Sequence, residues 1–287
     1  MQTGFFDTVI TSADLAPRLD HADWRVLDCR FDLKNPAAGR AAYAEAHIPG
    51  AVYVDLDEDL AAPVTGETGR HPLPDPGDLA ETFGRLGIDG TTQVVVYDDA
   101  GGALAARTWW LLRWLGHECV ALLDGGLPAW RSEGRPVESG QAVVTPRRFE
   151  PGRPVTKVVT TDEVVAALHG AEPLLLVDAR AAARFRGEVE PIDPVAGHIP
   201  GAVNLPFSAL LDKNQRFRSA AEIREAWAAA VAPAGGDRIA AMCGSGVTAC
   251  HLVAAARLAG LEEPAVYVGS WSEWIRDPAR PVGRDVT

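Results

Sequence analysis

The sequence predicts an α/β fold built twice in tandem, each copy a mainly parallel sheet with helices on both faces. Three observations carry this reading. Motifs recur in the same order in the two halves, short apolar runs are flanked by Gly and Asp, and Ala/Leu-rich helical stretches separate those runs.

The recurrence comes first in the argument. VLDCR at Val26–Arg30 returns as LVDAR at Leu176–Arg180, and HIPGAV at His47–Val52 returns unchanged at His198–Val203. VVVYDDAGG from Val94 aligns with IAAMCGSGV from Ile239, and LDGGLPAW ending at Trp130 aligns with YVGSWSEW ending at Trp274. Between its HIPGAV and its VVVY run the first copy carries about six extra residues, an interval that includes the Gly- and Pro-rich PVTGETGRHPLPDPG. That segment is a candidate for reaching the other copy. In the first copy the apolar runs are Trp24–Leu27, Val94–Tyr97 and Val120–Leu123; in the second they are Leu174–Val177, Arg238–Met242 and Ala265–Val268. Runs of this length without alternation suit strands buried on both faces of a parallel sheet. The stretch Glu133–Val158 is rich in Pro and Gly, lacks helical periodicity and reads as a connection laid over the surface, with the break near Phe149. The expected organisation is a domain over residues 1–140, a linker over 141–157 and a second domain over 158–287.

Composition narrows the function. A chain of 287 residues suits two domains of ordinary size. With 39 acidic against 27 basic side chains the net charge is −12, and no basic run is dense enough to neutralise a phosphate backbone, so nucleic acid is not an expected partner. No stretch reaches the ~18 apolar residues of a membrane span, and the N-terminal residues lack a basic leader and apolar core. A cytoplasmic location is expected, with no membrane partner. The cysteines Cys29, Cys119, Cys243 and Cys250 show neither C-x-x-C pairing nor metal-ligand spacing with histidine, and reduced thiols are expected.

The chemistry lies in Ile239–Gly260, IAAMCGSGVTACHLVAAARLAG. Cys243 follows a strand, Gly244, Ser245 and Gly246 let the backbone curl tightly, and a helix is expected to start near Val247. That arrangement points backbone N–H groups and a helix N-terminus at the sulfur, which favours a nucleophilic thiolate able to carry a second sulfur atom as a persulfide anion. The first copy has Asp98 at the equivalent position, so only the second half keeps a nucleophile. Cys29, Cys119 and Cys250 read as packing or surface residues. Asp28, Arg30, Asp178 and Arg180 recur in both copies and read as structural ion pairs at strand ends, and His47 and His198 as turn anchors. A cysteine phosphatase loop needs arginine at the sixth position after the cysteine; here that residue is Ala249.

Paired D-x-R and HIPGA motifs, the TGRHPLP segment of the first half and a CGSGVT loop in the second half alone resemble the two-domain sulfurtransferases of the rhodanese superfamily over nearly the whole chain. The uncharged loop is similar to that of the 3-mercaptopyruvate branch, whereas the thiosulfate branch typically carries cations there. The resemblance implies that Cys243 accepts sulfur and that Ser245 acts in a relay with His71 and Asp57. It implies that Arg184 clamps a 2-keto acid's carboxylate, with the loop residues Gly244, Gly246, Val247 and Thr248 lining the substrate. A second arginine about nine residues beyond the first is frequent in relatives of this branch; here that place reads Ile192–Asp193, and Arg186 is the expected substitute. The implied reaction moves sulfur from 3-mercaptopyruvate, releasing pyruvate, through a Cys243 persulfide to a thiol acceptor such as thioredoxin, or to cyanide. It calls for no metal or organic cofactor. Thiosulfate as donor, or a relay module fed persulfide by a protein partner, stand as alternatives.

Overall fold

A computed structural model describes residues 5–232 and 238–284. The chain forms two compact units. The first runs to Ala62 and continues over Pro74–Thr156 and Lys213–Phe217; the second comprises Pro63–Leu73, Lys157–Asp212 and the chain from Arg218 on. The units therefore depart from the repeat boundaries at two places. Pro63–Leu73, the TGRHPLP-bearing segment, is part of the second unit, and Lys213–Phe217 is part of the first. Most of the expected linker packs on the first unit: Arg147 N–H donates to Gly84 O at 2.9 Å, Gly152 N–H to Leu115 O at 2.7 Å, and buried Phe149 lies edge-on to Phe83.

In the first unit the order is β1 (Val9–Ile10), α1 (Ser12–Leu15), β2 (Trp24–Asp28), α2 (Ala37–Glu45), β3 (Val52–Tyr53), α3 (Pro76–Arg85), β4 (Gln93–Tyr97), α4 (Ala105–Trp114), β5 (Val120–Leu123) and α5 (Gly126–Ser132). The second repeats it as β6 (Val158–Val159), α6 (Thr161–Leu168), β7 (Leu175–Asp178), α7 (Ala182–Phe185), β8 (Val203–Asn204), α8 (Ala220–Val231), β9 (Ile239–Met242), α9 (Ala249–Leu258), β10 (Ala265–Tyr267) and α10 (Ser270–Trp274). Each unit holds a five-stranded parallel sheet, in the orders β1-β5-β4-β2-β3 and β6-β10-β9-β7-β8. The apolar runs of the sequence are the three inner strands of each sheet; β4 is buried at all five residues, as a strand covered on both faces must be.

Register ties the copies together residue by residue. Asp28 pairs with Tyr97 in the first sheet, and Asp178 with Met242 in the second, so Asp98 and Cys243 each follow the C-terminal end of the central strand. Ligands of open parallel sheets collect at such strand ends, where the chain order reverses. The duplicated motifs behave as structural parts. Arg30 and Arg180 fork onto Asp28 and Asp178 at 2.6 and 2.7 Å, all four residues buried, while each arginine also reaches a backbone carbonyl, Ala46 O or Gly197 O. His47 Nδ1 and His198 Nδ1 hydrogen-bond Tyr43 O and Phe185 O, fixing the turns before β3 and β8. Trp130 and Trp274, both fully buried, donate to Pro136 O and Pro281 O and close the two cores.

Candidate active site

Cys243 is 2% exposed and leaves β9 into a loop that only glycine can turn at Gly246. There φ is +78°, and a Cβ would sit 2.5 Å from Val268 O. This left-handed residue delays the helix: α9 begins at Ala249 after Thr248, two residues beyond the expected start near Val247. The Ser245 N–H lies 3.4 Å from Cys243 Sγ. From the other side α10 braces the loop, with Trp271 N–H donating to Cys243 O at 3.0 Å and Ser272 N–H to Gly244 O at 2.8 Å. Ser270, which the sequence reading did not single out, adopts φ +53° and accepts the Cys243 N–H on its Oγ at 3.0 Å. A left-handed serine costs about 1 kcal/mol, and the first copy has Gly126 at φ +56° in its place, so the hydroxyl is what the second copy gains.

The first copy shows what this strand-end loop does with an anion. Asp98, fully buried, accepts backbone N–H groups from Ala100 and Gly102 on one oxygen and from Leu104 and Ala105 on the other, at 2.7 to 2.9 Å. Its backbone oxygen accepts Leu127 N–H as Cys243 O accepts Trp271 N–H, so the frames correspond. A carboxylate oxygen lies two bonds from Cβ, as does the outer sulfur of a cysteine persulfide.

His71 meets Ser245: His71 Nδ1 and Ser245 Oγ are 2.7 Å apart, with His71 3% and Ser245 5% exposed. The strap that carries His71 is tied to α10 by Arg70 N–H to Ser272 Oγ at 3.1 Å, Gly69 N–H to Glu273 Oε2 at 3.4 Å and Arg276 Nε–H to Thr68 O at 3.0 Å. Gly69 is required by this approach, since a Cβ there would stand 2.7 Å from Gly269 O. Asp57 belongs to the first unit, in the turn after β3, where its N–H caps Asp55 Oδ1 at 2.9 Å. Partial burial, then Asp55 and Glu58 beside it, push its carboxyl above the ordinary range.

Arg184 leaves α7 and forks onto Glu190 at 2.7 to 3.1 Å, with Nη2 also 3.2 Å from Asp193. Arg180 Nη1 lies 3.6 Å from the same Glu190, and Arg70 Nη1 pairs with Asp193. The result is an alternating ladder, Asp178, Arg180, Glu190, Arg184, Asp193, Arg70, that runs from the buried D-x-R motif to the cysteine loop. Burial pushes Glu190 up, but hydrogen bonds from Arg184 and from the Asp193 and Ile192 amides outweigh it and hold the carboxyl below its usual value. For Asp193, burial, reinforced by Glu190, wins over the pull of Arg70 and Arg184, and the carboxyl is raised. A Cβ on Gly244 would lie 2.9 Å from Arg70 Nη2 and 3.7 Å from Arg184 Nη2, so both guanidiniums stand against the loop.

Arg186, expected to replace the missing second arginine, lies just past α7 and forks onto Glu188 with its side chain 43% exposed. The loop's own residues are uncharged, as read, but fixed cations do stand beside them. Arg70, next to His71 in TGRHPLP, was not singled out in the sequence. Among the other cysteines, burial pushes the thiols of Cys29 and Cys119 up, and Cys250 Sγ lies 3.3 Å from Gly246 O inside α9.

A family model described as a rhodanese-like domain matches residues 11–133 and 160–277. A probable 3-mercaptopyruvate sulfurtransferase of Pseudomonas aeruginosa is 49% identical over 276 residues, 96% of this chain and 97% of that protein. A putative thiosulfate sulfurtransferase, SseB, of Mycobacterium tuberculosis is 42% identical over 96% of both chains. Among solved structures, the 3-mercaptopyruvate sulfurtransferase of Leishmania major superposes with a TM-score of 0.78 at 32% identity, covering 93% of this chain and 74% of that one.

Proposed function

Because the chain belongs to the rhodanese-like domain family, in two copies, we propose that it is a sulfurtransferase that draws sulfur from 3-mercaptopyruvate through a persulfide on Cys243. The observation that carries this is the strand-end frame shared by Cys243 and Asp98. Where the first copy seats a carboxylate among four backbone N–H groups, the second presents at the same strand end a sulfur 3.4 Å from the Ser245 N–H.

In the first half-reaction the Cys243 thiolate attacks the sulfur of mercaptopyruvate. The carbon–sulfur bond breaks, its electron pair becomes the enolate of pyruvate, and the enzyme keeps the sulfur and its proton as Cys243–S–SH. The enolate then takes a proton at carbon. In this reading Ser245, 2.7 Å from His71, meets the charge growing on the keto oxygen. Arg184 orients the carboxylate, and Gly244, Gly246, Val247 and Thr248 shape the floor of the site. In the second half-reaction an acceptor thiolate attacks the outer sulfur and leaves as its own persulfide, restoring the Cys243 thiolate. Cyanide leaves as thiocyanate by the same attack. The acceptor of this reading is a thiol such as thioredoxin, in the cytoplasm, where thiols are kept reduced.

The test is steady-state turnover of mercaptopyruvate with cyanide and no protein donor. Turnover that survives Cys29→Ser, Cys119→Ser and Cys250→Ser but not Cys243→Ser supports the proposal. A wild-type chain that accepts sulfur only from another protein would replace it with the relay reading.

A further inference from the structure

A guanidinium has two edges that can grip a carboxylate with both oxygens, Nε with Nη2 and Nη1 with Nη2. In Arg184 the first edge is closed by Glu190, whose oxygens lie 2.7 to 3.1 Å from Nε and Nη2. The remaining N–H of Nη2 is left for Asp193, whose Oδ2 lies 3.2 Å away. Nη1 alone has no hydrogen-bond partner among the described residues. We propose that Asp193 is a built-in competitor of the donor: it occupies half of the Nη1–Nη2 edge of Arg184 that a 2-keto acid's carboxylate would otherwise take with both oxygens, and so sets how tightly such donors bind. This rests on the sulfurtransferase reading of the same site.

Three observations carry it. The contested edge faces the reaction, since Arg184 Nη2 and Nη1 lie 3.7 and 3.9 Å from the point a Cβ on Gly244 would occupy, one residue from Cys243. Asp193 is firmly seated there: its side chain is 3% exposed, its N–H donates to Glu190 Oε1 at 3.1 Å, and its Oδ1 pairs with Arg70. Its hold on Arg184 is also the one that can be given up. That contact is a single one at 3.2 Å, against the two-oxygen fork of Glu190 that closes to 2.7 Å, and on losing it Asp193 keeps Arg70 as a partner. A donor carboxylate that displaces Oδ2 gains a two-oxygen contact, and every such donor binds against the negative charge that remains beside it.

The test compares wild type with Asp193→Asn and Asp193→Ala, each with Arg184 intact and with Arg184→Ala. The first readout is KM and kcat for mercaptopyruvate. The second is the rate at which Cys243, followed by peptide mapping, is alkylated by iodoacetate and by iodoacetamide, which share one chemistry and differ in the carboxylate. With Arg184 intact, removing the Asp193 charge should lower KM at least fivefold and raise the iodoacetate-to-iodoacetamide rate ratio at least fivefold. A residue that merely supported Arg184 would move both in the opposite direction. With Arg184→Ala the same substitutions should move the ratio less than twofold. No gain in either Asp193 variant overturns the proposal and leaves Asp193 a support for Arg184. An equal gain with and without Arg184 also overturns it, because the effect is then loss of a nearby charge and not release of an edge. The alkylation ratio needs no sulfur transfer, so a wild-type chain that fails to turn over mercaptopyruvate sinks the sulfurtransferase reading while the ratio still decides the role of Asp193.

Discussion

Removing the Ser245 hydroxyl takes away the oxygen that stands 2.7 Å from His71 Nδ1 in a site where both residues are at least nine-tenths buried. In so dry a place a hydrogen bond aimed at developing charge is worth far more than in water. Loss of one such donor to an oxyanion costs about 2.7–4 kcal/mol, or 10²–10³ in kcat. The enolate oxygen carries that charge only in the transition state, so Ser245→Ala should lower kcat for mercaptopyruvate by roughly 10²-fold while leaving KM within about threefold. Transfer of the outer sulfur to cyanide forms no enolate and should be spared. The assay is single-turnover: persulfide formation from mercaptopyruvate followed by mixing, then sulfur loss from preloaded enzyme to cyanide followed separately. A kcat within threefold of wild type, or equal slowing of both half-reactions, would refute the assignment of Ser245 to the enolate.

Asp98→Ala leaves four backbone N–H groups without their acceptor and should cost on the order of 3–5 kcal/mol of stability, read as a lower denaturation midpoint, with kcat on mercaptopyruvate retained. Gly69→Ala would place a Cβ 2.7 Å from Gly269 O and 2.9 Å from Ser272 Oγ, displacing the strap that carries Arg70 and His71. We expect kcat/KM to fall at least tenfold with Tm lowered by only a few degrees, and an unaltered kcat/KM would show that the strap does not hold those residues. Wild type should prefer mercaptopyruvate to thiosulfate in kcat/KM by at least ~10-fold, the ratio given by 1.4 kcal/mol of differential stabilisation. Equal use of both donors would sink that preference.

Legibility in the sequence followed burial. The inner strands, such as Gln93–Tyr97 and Ile239–Met242, are continuous apolar runs because a parallel sheet covers both their faces, and their order was read directly. The edge strands Val9–Ile10, Val52–Tyr53, Val158–Val159 and Val203–Asn204 are two residues each, too short to show any period, and were not anticipated. Cys243 stood out because a glycine-flanked cysteine after a buried run has few structural explanations, whereas the role of Ser245 came from family resemblance. Ser270 was within reach, since the aligned LDGG and YVGS place a serine where the other copy has a glycine in left-handed conformation. Arg70 was not, because what identifies it is a pairing with Asp193 across 123 residues of chain. His71 shares that dependence: its approach to Ser245 spans 174 residues and came from family resemblance rather than local pattern.

The central claim is that sulfur leaves mercaptopyruvate for Cys243. Intact-protein mass after brief exposure to mercaptopyruvate, followed by peptide mapping, measures it without any acceptor. The account predicts a gain of one sulfur atom, located on the peptide carrying Cys243 and absent in Cys243→Ser. A gain located on Cys250, or one that persists in Cys243→Ser, would contradict it.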